Sequence, residues 1–312
     1  MILITGGLGF LGSNLAEKLV DGDEEVCLMT WTMNKERNIA GFKDKVKVVV
    51  GDVTDAPWLQ RWIVGNKPRL IYHFAGQLTS YESFDYPQYD LDVNARSTMT
   101  ILEALRLMDS PCRLVLGSTV WVVGHPDKLP VNEKTPCLPL NLYAAHRLTS
   151  EHYCRIYHKV YDVDAVVMRL SNTYGIREQY ANKQKAALNH LLYLGYKGEE
   201  VPIYSNGEVM RDYVYVSDVV EAAQVVADRG KPGECYFVGT GVGTWFRDIA
   251  FWIDSKTPGE IKFIDPTDFH NRIDIGDIVV DSSKLRRLGW KPTISVPEGL
   301  TRTLEFYREE GL

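Results

Sequence analysis

The chain has 312 residues, of which 45% are hydrophobic and 24% are charged, a composition that excludes intrinsic disorder and a small disulfide-stapled scaffold. Its 35 basic and 41 acidic side chains give a net charge of −6, so no global positive field favours nucleic acid or a membrane, and we expect neither as a partner. The 5 cysteines form no Cys-x-x-Cys pair and the 7 histidines have no paired-ligand spacing, which predicts a reducing, cytoplasmic location and no bound metal. No apolar run approaches the length of a membrane span, and residues 2–4 resemble a buried strand, so we expect no transmembrane helix and no cleavable leader.

Short apolar runs alternate with helical patterns through the first two-thirds of the chain, which is typical of a parallel sheet with crossover helices. The predicted strands cover residues 2–5, 25–29, 46–50, 69–74, 112–117 and 163–169. The predicted helices between them cover residues 10–20, 55–64, 90–108 and 142–160. After about residue 175 the pattern loosens into a helix over 181–195 and short strands over 201–204, 213–216 and 235–238.

This order of elements predicts an α/β fold with a Rossmann-type doubly wound parallel sheet. We assign residues 1–175 to that dinucleotide-binding domain. Residues 176–312 are predicted to form a smaller C-terminal α/β domain that binds substrate, and parts of 211–250 are predicted to return to the first domain.

A glycine-rich turn follows the first predicted strand directly and leads into a helix, in the sequence Thr5-Gly6-Gly7-Leu8-Gly9-Phe10-Leu11-Gly12. Gly6 permits a tight turn, Gly9 lets the backbone approach a pyrophosphate, and Gly12 allows close contact between helix and strand. We therefore predict a dinucleotide site on the helix N-terminus, with Phe10 and Leu11 in the same turn. The alternative is a purely structural turn.

The second predicted strand lacks the carboxylate that usually binds the adenosine ribose of NAD, because it ends in Thr30-Trp31-Thr32. The nearby acids Asp23, Glu24 and Glu25 lie at its other end. Lys35 and Arg37 either attract a 2′-phosphate or lie in a solvated loop. These residues thus leave the choice between NAD and NADP open, with Thr30 placed beside the ribose.

A carboxylate closes the third predicted strand, in Gly51-Asp52-Val53. Asp52 and Val53 are candidates for contact with the adenine ring. The alternative is that Asp52 caps the following helix.

Three further segments complete a recognisable pattern. His73-Phe74-Ala75-Gly76 ends the fourth predicted strand, Gly117-Ser118-Thr119 ends the fifth, and Pro139-Leu140-Asn141-Leu142-Tyr143-Ala144-Ala145-His146-Arg147 opens a long helix. The later segments Arg169-Leu-Ser-Asn172-Thr-Tyr-Gly175, Arg211-Asp212-Tyr213 and Leu288-Gly289-Trp290-Lys-Pro292 follow in order. From residue 1 to about 307 the chain resembles the extended short-chain dehydrogenase/reductase family, in its NAD-dependent nucleotide-sugar epimerase/dehydratase branch.

The resemblance implies that Tyr143 is the catalytic acid/base and that Thr119 shares its hydrogen bond to the substrate. The residue four positions after Tyr143 would orient the nicotinamide ribose; the family has lysine there, and this chain has Arg147. A free phenol has a pKa of about 10, so it takes a proton at neutral pH only if positive charge lies nearby, which i, i+4 spacing on a helix provides. The alternatives are that Tyr143 is a half-buried aromatic side chain, and that His146 is either a second acid/base or a packed histidine.

The resemblance also implies binding roles for residues in other segments. The cofactor would contact Phe74, Ala75, Gly76 and Asn94, and the substrate diphosphate would contact Asn172, Arg211, Tyr213 and Arg272. Arg272 matches the family only with a one-residue gap. Each arginine forms a structural salt bridge in the alternative interpretation, and Tyr213 either contacts the nucleotide or only packs.

The two residues after Thr119 help to choose the reaction. In the sugar 4,6-dehydratases that this chain resembles, the matching threonine precedes an Asp-Glu pair, whereas Val120 and Trp121 follow here and transfer no proton. Related decarboxylases also carry a glutamate that is missing here. His73-Phe74-Ala75-Gly76 and Glu82-Ser83 also resemble UDP-galactose 4-epimerases more closely than dehydratases, and the resemblance therefore implies a nucleotide-sugar epimerase acting at C4 of a UDP-hexose. The alternatives are an NADP-dependent keto-sugar reductase, a C2-epimerase, a dehydratase and a non-catalytic scaffold.

The family commonly pairs two subunits through the helices that match 90–108 and 142–160. The resemblance therefore implies a homodimer.

Overall fold

A computed structural model describes residues 1–77, 79–181 and 187–312. The strands are β1 (Ile2–Thr5), β2 (Val26–Thr30), β3 (Val46–Val50), β4 (Leu70–His73), β5 (Arg113–Thr119), β6 (Ala165–Leu170), β7 (Asn172–Tyr174), β8 (Val201–Tyr204), β9 (Met210–Tyr215), β10 (Cys235–Val238), β11 (Gly243–Trp245) and β12 (Ile261–Ile264). The α-helices are α1 (Phe10–Leu19), α2 (Ala56–Asn66), α3 (Ser80–Asp85), α4 (Pro87–Leu91), α5 (Ser97–Leu107), α6 (Leu142–Tyr161), α7 (Ala187–Lys197), α8 (Val216–Arg229), α9 (Phe246–Lys256), α10 (Asp268–Ile273), α11 (Ser283–Arg286) and α12 (Val296–Glu309). Shorter 3₁₀ turns cover Glu36–Ile39, Lys43–Lys45, Val120–Val123 and Ser205–Gly207, and a π-helical turn covers Asp92–Arg96.

Seven parallel strands form the central sheet, in the order β10-β6-β5-β4-β1-β2-β3. Neighbouring side chains along each strand point to opposite faces, so Ile4 packs in one core cluster and Leu3 in the other. Helices cover both faces: Leu15 of α1 joins the first cluster, and Ile101 of α5 joins the second. The predicted Rossmann-type α/β fold is confirmed, and the carboxyl ends of its parallel strands meet at one edge.

The first six predicted strands lie within two residues of the observed ones, as do the helices predicted over 10–20, 55–64 and 142–160. The helix predicted over 90–108 is instead divided into α4, the π-helical turn and α5. Pro87 begins α4, and the wide turn lets the Asn94 carbonyl accept the hydroxyl of Ser150 on α6 at 2.5 Å. The predicted helix over 181–195 starts at Ala181, which lies in a turn; residues 182–186 lie outside the described part of the chain, and α7 covers Ala187–Lys197.

The C-terminal half of the chain contributes to both the central sheet and two small sheets. The strand over 235–238 pairs with β6 in the large sheet, while β11-β9-β7 and β12-β8 form separate sheets. β9 covers 210–215 rather than the predicted 213–216 because its pairing with β11 begins at Met210. A third core cluster, which includes Leu192, Ile203 and Tyr307, lies beneath these small sheets. Among the described residues, no helix is both long enough and apolar enough to cross a membrane.

Candidate active site

The glycine turn between β1 and α1 brings backbone close to backbone. Gly6 has a φ of +68°, and a Cβ there would lie 2.9 Å from the amide nitrogen of Ala75. A Cβ on Gly12 would lie 2.3 Å from the carbonyl oxygen of Gly6, so the start of α1 packs directly on the turn. Gly9 is the N-cap of α1 and has no side chain to cover the unpaired N–H groups of the first turn, to which Phe10 and Leu11 belong. The turn therefore leaves a bare helix N-terminus that suits an anionic group.

The ends of β2 and β3 lie beside this turn. The hydroxyl of Thr30 donates to the carbonyl of Thr32 at 2.8 Å. The carboxylate of Asp52 accepts the N–H of Thr54 at 2.9 Å, and Val53 packs in the core cluster that contains Leu3. The interpretation of Asp52 as the cap of α2 was wrong, because Asp55 caps that helix by accepting the N–H of Trp58 at 3.1 Å.

Arg147, Asn94 and Gly76 converge at the carboxyl end of β4. The buried Arg147 guanidinium donates from Nη1 to the carbonyl of Gly117 at 3.1 Å and from Nη2 to that of Ala75 at 3.4 Å. Asn94 donates to the carbonyl of Gln77 at 3.0 Å. A Cβ on Gly76 would lie 1.9 Å from Arg147 Nη2 and 3.0 Å from Asn94 Oδ1.

Two polar atoms in this group are buried without partners among the described residues: Arg147 Nε and Asn94 Oδ1. An unpaired buried donor and acceptor each cost stability in the absence of a ligand. The hydroxyls and amide of a dinucleotide provide both kinds of partner, so these residues fit a nicotinamide nucleotide.

Tyr143 lies in the first turn of α6, half-buried. Asn141 caps this helix by accepting the N–H of Ala144 at 2.8 Å, which fixes where the first turn begins. The Arg147 guanidinium carbon lies 5.7 Å from the centre of the Tyr143 ring. The i, i+4 spacing therefore does bring a permanent positive charge to the face of the phenol ring.

Thr119 is the last residue of β5 and is buried. Its Oγ1 accepts the N–H of Trp121 at 3.3 Å, which leaves the hydroxyl hydrogen available for donation. His146 instead turns to α4, where its Nδ1 lies 2.6 Å from the buried carboxylate of Asp90. The structure thus gives His146 the packed arrangement rather than a place beside the Tyr143 phenol.

The residues predicted to bind the substrate diphosphate differ in their surroundings. Arg211 is buried and donates to Asp274 Oδ1 at 2.7 Å and to the carbonyl of Gly276, so it has the salt bridge of the alternative interpretation. Asn172 donates to the carbonyl of Asp212 at 3.3 Å. Arg272 is exposed on α10 and is not brought to Arg211 by any contact in the described part of the chain.

Tyr213 is buried and packs edge-on against Tyr174, with 6.2 Å between ring centres. Burial raises the pKa of its phenol well above the ordinary value. This arrangement matches the packing alternative.

Phe74, which is predicted to contact the cofactor, is half-buried at the edge of the sheet, with its ring near Gly117.

His73 links several parts of the site, a role that its place in the motif His73-Phe74-Ala75-Gly76 does not predict. Its ring nitrogens lie 2.7 Å from Thr5 Oγ1 and 3.0 Å from Ser97 Oγ. Burial, and then the positive charge of Arg147, lower the pKa of His73 to about 3. The neutral imidazole therefore ties β1 and β4 to the start of α5. The sequence signal is only that a polar residue ends an otherwise apolar strand.

A second polar link was also missed. Glu151 accepts the hydroxyl of Ser118 at 2.5 Å and forms a buried ion pair with Arg169, at 2.6 Å from Nη2. Its partners Ser118 and Arg169 lie 33 and 18 residues away in the chain, so no local pattern in the sequence predicts this link. It holds α6 against the ends of β5 and β6.

The comparisons with known proteins extend over nearly the whole chain. The sequence model of the GDP-mannose 4,6 dehydratase family matches residues 3–303. UDP-glucose 4-epimerase from Mycolicibacterium smegmatis is 32% identical, and the match covers 99% of each chain.

Two solved structures have the same architecture. The UDP-glucose 4-epimerase of Thermotoga maritima, solved with UDP-glucose, is 26% identical with a TM-score of 0.92, covering 100% of this chain and 99% of that one. The UDP-glucose 4-epimerase of Thermus thermophilus, solved in complex with NAD, is 28% identical with a TM-score of 0.89, covering 98% of each chain.

Proposed function

This chain belongs to the GDP-mannose 4,6-dehydratase family, the extended short-chain dehydrogenase/reductases that epimerise or dehydrate nucleotide sugars, and on that premise we propose that it is a UDP-hexose 4-epimerase using NAD. It is similar to enzymes named UDP-glucose 4-epimerase, one of them solved with UDP-glucose and another with NAD. A dehydratase and a net reductase are the rival activities within the family.

One observation carries the choice of epimerase over dehydratase. After Thr119 the chain enters a 3₁₀ turn whose first residue, Val120, is buried in an apolar cluster, with Trp121 packed against the same cluster. Elimination of water needs a proton donor and acceptor besides Tyr143, and residues 118–126 contain no carboxylate. Epimerisation needs none there, because the substrate loses and regains one hydride and one proton.

We assign two parts of the cofactor to two groups of residues in this chain. The α1 N-terminus at Gly9 would take the pyrophosphate, while Asn94 Oδ1 and Arg147 Nε would take polar groups at the nicotinamide end. When bound, NAD accepts a hydride from the sugar carbon and returns it, so that none is consumed.

The proton steps belong to the side chains beside that end. Tyr143 takes the proton of the C4 hydroxyl and later gives it back, and Thr119 donates its free hydroxyl hydrogen to the same substrate oxygen. The Arg147 guanidinium carbon lies 5.7 Å from the Tyr143 ring centre, so a positive charge lies beside the phenol. Because arginine does not deprotonate, this charge persists over the whole working pH range.

The substrate needs an anchor that stays fixed while the 4-keto sugar turns over. We assign this role to Asn172 on β7 and Arg211 on the neighbouring strand β9, where Asn172 donates to the carbonyl of Asp212 and Arg211 donates to Asp274. Arg211 would exchange part of its bond to Asp274 for the diphosphate, because arginine's planar fork suits phosphate oxygens.

The exposed faces of α5 and α6 support a homodimer. Met99 and Leu107 on α5 are 37% and 50% exposed, and Ile156 and Val160 on α6 are 48% and 59% exposed. Exposed apolar side chains on two helices that already pack together suit a second copy of the same face. The five cysteines are free thiols, in keeping with the reducing cytoplasm that we propose as the location.

Incubation of the purified protein with UDP-glucose or UDP-galactose, without added nicotinamide cofactor, tests the proposal. Proton NMR should show each sugar converting to the same equilibrium mixture. Turnover only with stoichiometric NADPH and a keto-sugar would instead identify a reductase, and a 4-keto-6-deoxy product would identify a dehydratase.

A further inference from the structure

The adenosine ribose of a bound dinucleotide lies at the carboxyl end of the strand that follows the glycine turn. That strand is β2, and the carbonyl of its residue Met29 accepts the N–H of Gly7 at 3.1 Å. β2 ends one residue later, at Thr30. Thr30 and the residues after it therefore border the ribose position.

No acidic residue occurs from Val26 to Lys35. The side chain of Thr30 is buried and occupied, since it donates to the carbonyl of Thr32. The next acid, Glu36, forms an ion pair with Lys43. Residues 26–35, which form β2 and the start of the following loop, thus supply no carboxylate to bind the ribose hydroxyls or to repel a phosphate on them.

Two exposed basic residues follow the strand. Lys35 and Arg37 flank the start of the 3₁₀ turn over Glu36–Ile39, and Asn38 ties this turn to the glycine turn by donating to the carbonyl of Leu8 at 3.0 Å. Arg37 is held over Tyr180, with its guanidinium carbon 5.7 Å from the ring centre and Nη2 3.3 Å from the hydroxyl. This stacking restricts the side chain and leaves further guanidinium donors for an anion.

One acid from another segment, Glu178, lies within electrostatic range of Lys35. Burial raises the pKa of Glu178 to about 7, against the opposing effect of the Lys35 charge. Near neutral pH Glu178 is therefore partly protonated, and it offsets less of the positive charge than an ordinary glutamate would.

We propose that Lys35 and Arg37 form a binding site for the 2′-phosphate of NADP, so that this chain binds NADP at least as tightly as NAD. The phosphate would take charge-assisted hydrogen bonds from both side chains at a strand end that lacks the usual carboxylate. The proposal rests on the proposed function only in requiring a dinucleotide at the glycine turn.

The test is a binding titration with protein freed of co-purified nucleotide. Nicotinamide fluorescence reports NADPH and NADH binding, and adenosine 2′,5′-bisphosphate competes against its charge-matched isomer adenosine 3′,5′-bisphosphate. We expect NADPH to bind at least as tightly as NADH, and the 2′,5′ isomer to compete better. NADH binding tenfold tighter than NADPH, or equal competition by the two isomers, would overturn the proposal.

Variants locate the effect. Arg37→Ala and Lys35→Ala should each weaken NADPH binding by roughly 10- to 100-fold, the range for a lost charge-assisted bond, and change NADH binding less than about twofold. Arg61→Ala, at an exposed arginine on α2, is the matched control and should change neither. Equal weakening of NADPH and NADH in Arg37→Ala and Lys35→Ala would contradict the assignment.

Two further variants add negative charge at the proposed phosphate position. Thr30→Asp should make the protein bind NADPH more weakly than NADH. Lys35→Glu should do the same from an exposed position, where the substitution leaves the core untouched. Because no sugar is present, failure of the epimerase assay leaves this measurement intact, and failure of this measurement leaves epimerisation with NAD intact.

Discussion

At the scale of single residues, the tightest point of the site is Gly76, where the side chains of Arg147 and Asn94 meet. Gly76→Ala would place a methyl group 1.9 Å from Arg147 Nη2, so the guanidinium must move. We expect NAD affinity to fall at least roughly tenfold, the cost of one or two displaced charged hydrogen bonds. Gly41→Ala is the control, because a Cβ there has nothing within 4 Å. Equal NAD affinities in the two variants, measured by calorimetry, would show that Gly76 is not part of the cofactor site.

Tyr143 is the residue on which the proton transfers depend. Tyr143→Phe removes only the hydroxyl, so turnover should fall by roughly 10²- to 10⁴-fold, the usual contribution of a positioned acid/base, while NAD binding is kept. Tyr161→Phe, at the exposed end of the same helix, should retain full activity. Full turnover by Tyr143→Phe would reassign the acid/base.

The lowered pKa of His73 predicts how the free energy of unfolding depends on pH. Its pKa is about 3 in the folded chain, so below its ordinary value of 6.5 the unfolded chain binds a proton that the folded chain does not. Its contribution is therefore present above pH 6.5 and is lost as the pH falls toward 3.

Between pH 7 and pH 5, the wild type should lose up to about 2 kcal/mol more unfolding free energy than His73→Gln. Urea denaturation at the two pH values measures the difference, with His152→Gln as an exposed control that keeps the wild-type dependence. Identical losses in wild type and His73→Gln would mean that His73 is protonated in the folded chain.

At the scale of elements, β1 to β6 and the helix at Tyr143 could be predicted because their signals are local: apolar runs, helical stripes, and a glycine turn between them. The division of the predicted helix at Asp92–Arg96 could not, because it depends on Ser150 of α6 reaching the Asn94 carbonyl. Asp55 rather than Asp52 caps α2. Pro57 in the first helical turn is a local signal for this start, because proline is favoured at the beginning of a helix.

The site shows the same limit. The spacing of Tyr143 and Arg147 predicted their proximity, whereas the convergence of Arg147, Asn94 and Gly76 joins three separate segments. The Arg211–Asp274 pair joins residues 63 positions apart, so no periodicity in the sequence reports it.

The helical pair α5 and α6 carries the prediction about assembly. Val160→Asp places a charge on the exposed apolar face, and we expect it to convert a dimer of about twice 35.4 kDa into monomers of that mass, as measured by light scattering. Phe251→Asp, at a 57% exposed position on α9, should leave the dimer intact. A monomeric wild type, or dissociation by Phe251→Asp alone, would move the interface elsewhere.

At the scale of the whole molecule, a net charge of −6 gave no reason to expect anionic ligands, yet we propose separate places for them in the fold. One is the N-terminus of α1 behind the glycine turn, and the proposed second is the segment around Arg211. Local charges and helix ends, rather than the global charge, decide what this molecule binds.

In the proposed reaction the hydride removed from C4 returns to the same sugar, and an isotope label tests this directly. We predict that UDP-glucose deuterated at C4, incubated with the protein in ordinary water, yields UDP-galactose that keeps the deuterium at C4. UDP-galactose with hydrogen from solvent at C4, or no UDP-galactose from an enzyme that binds NAD, would contradict it.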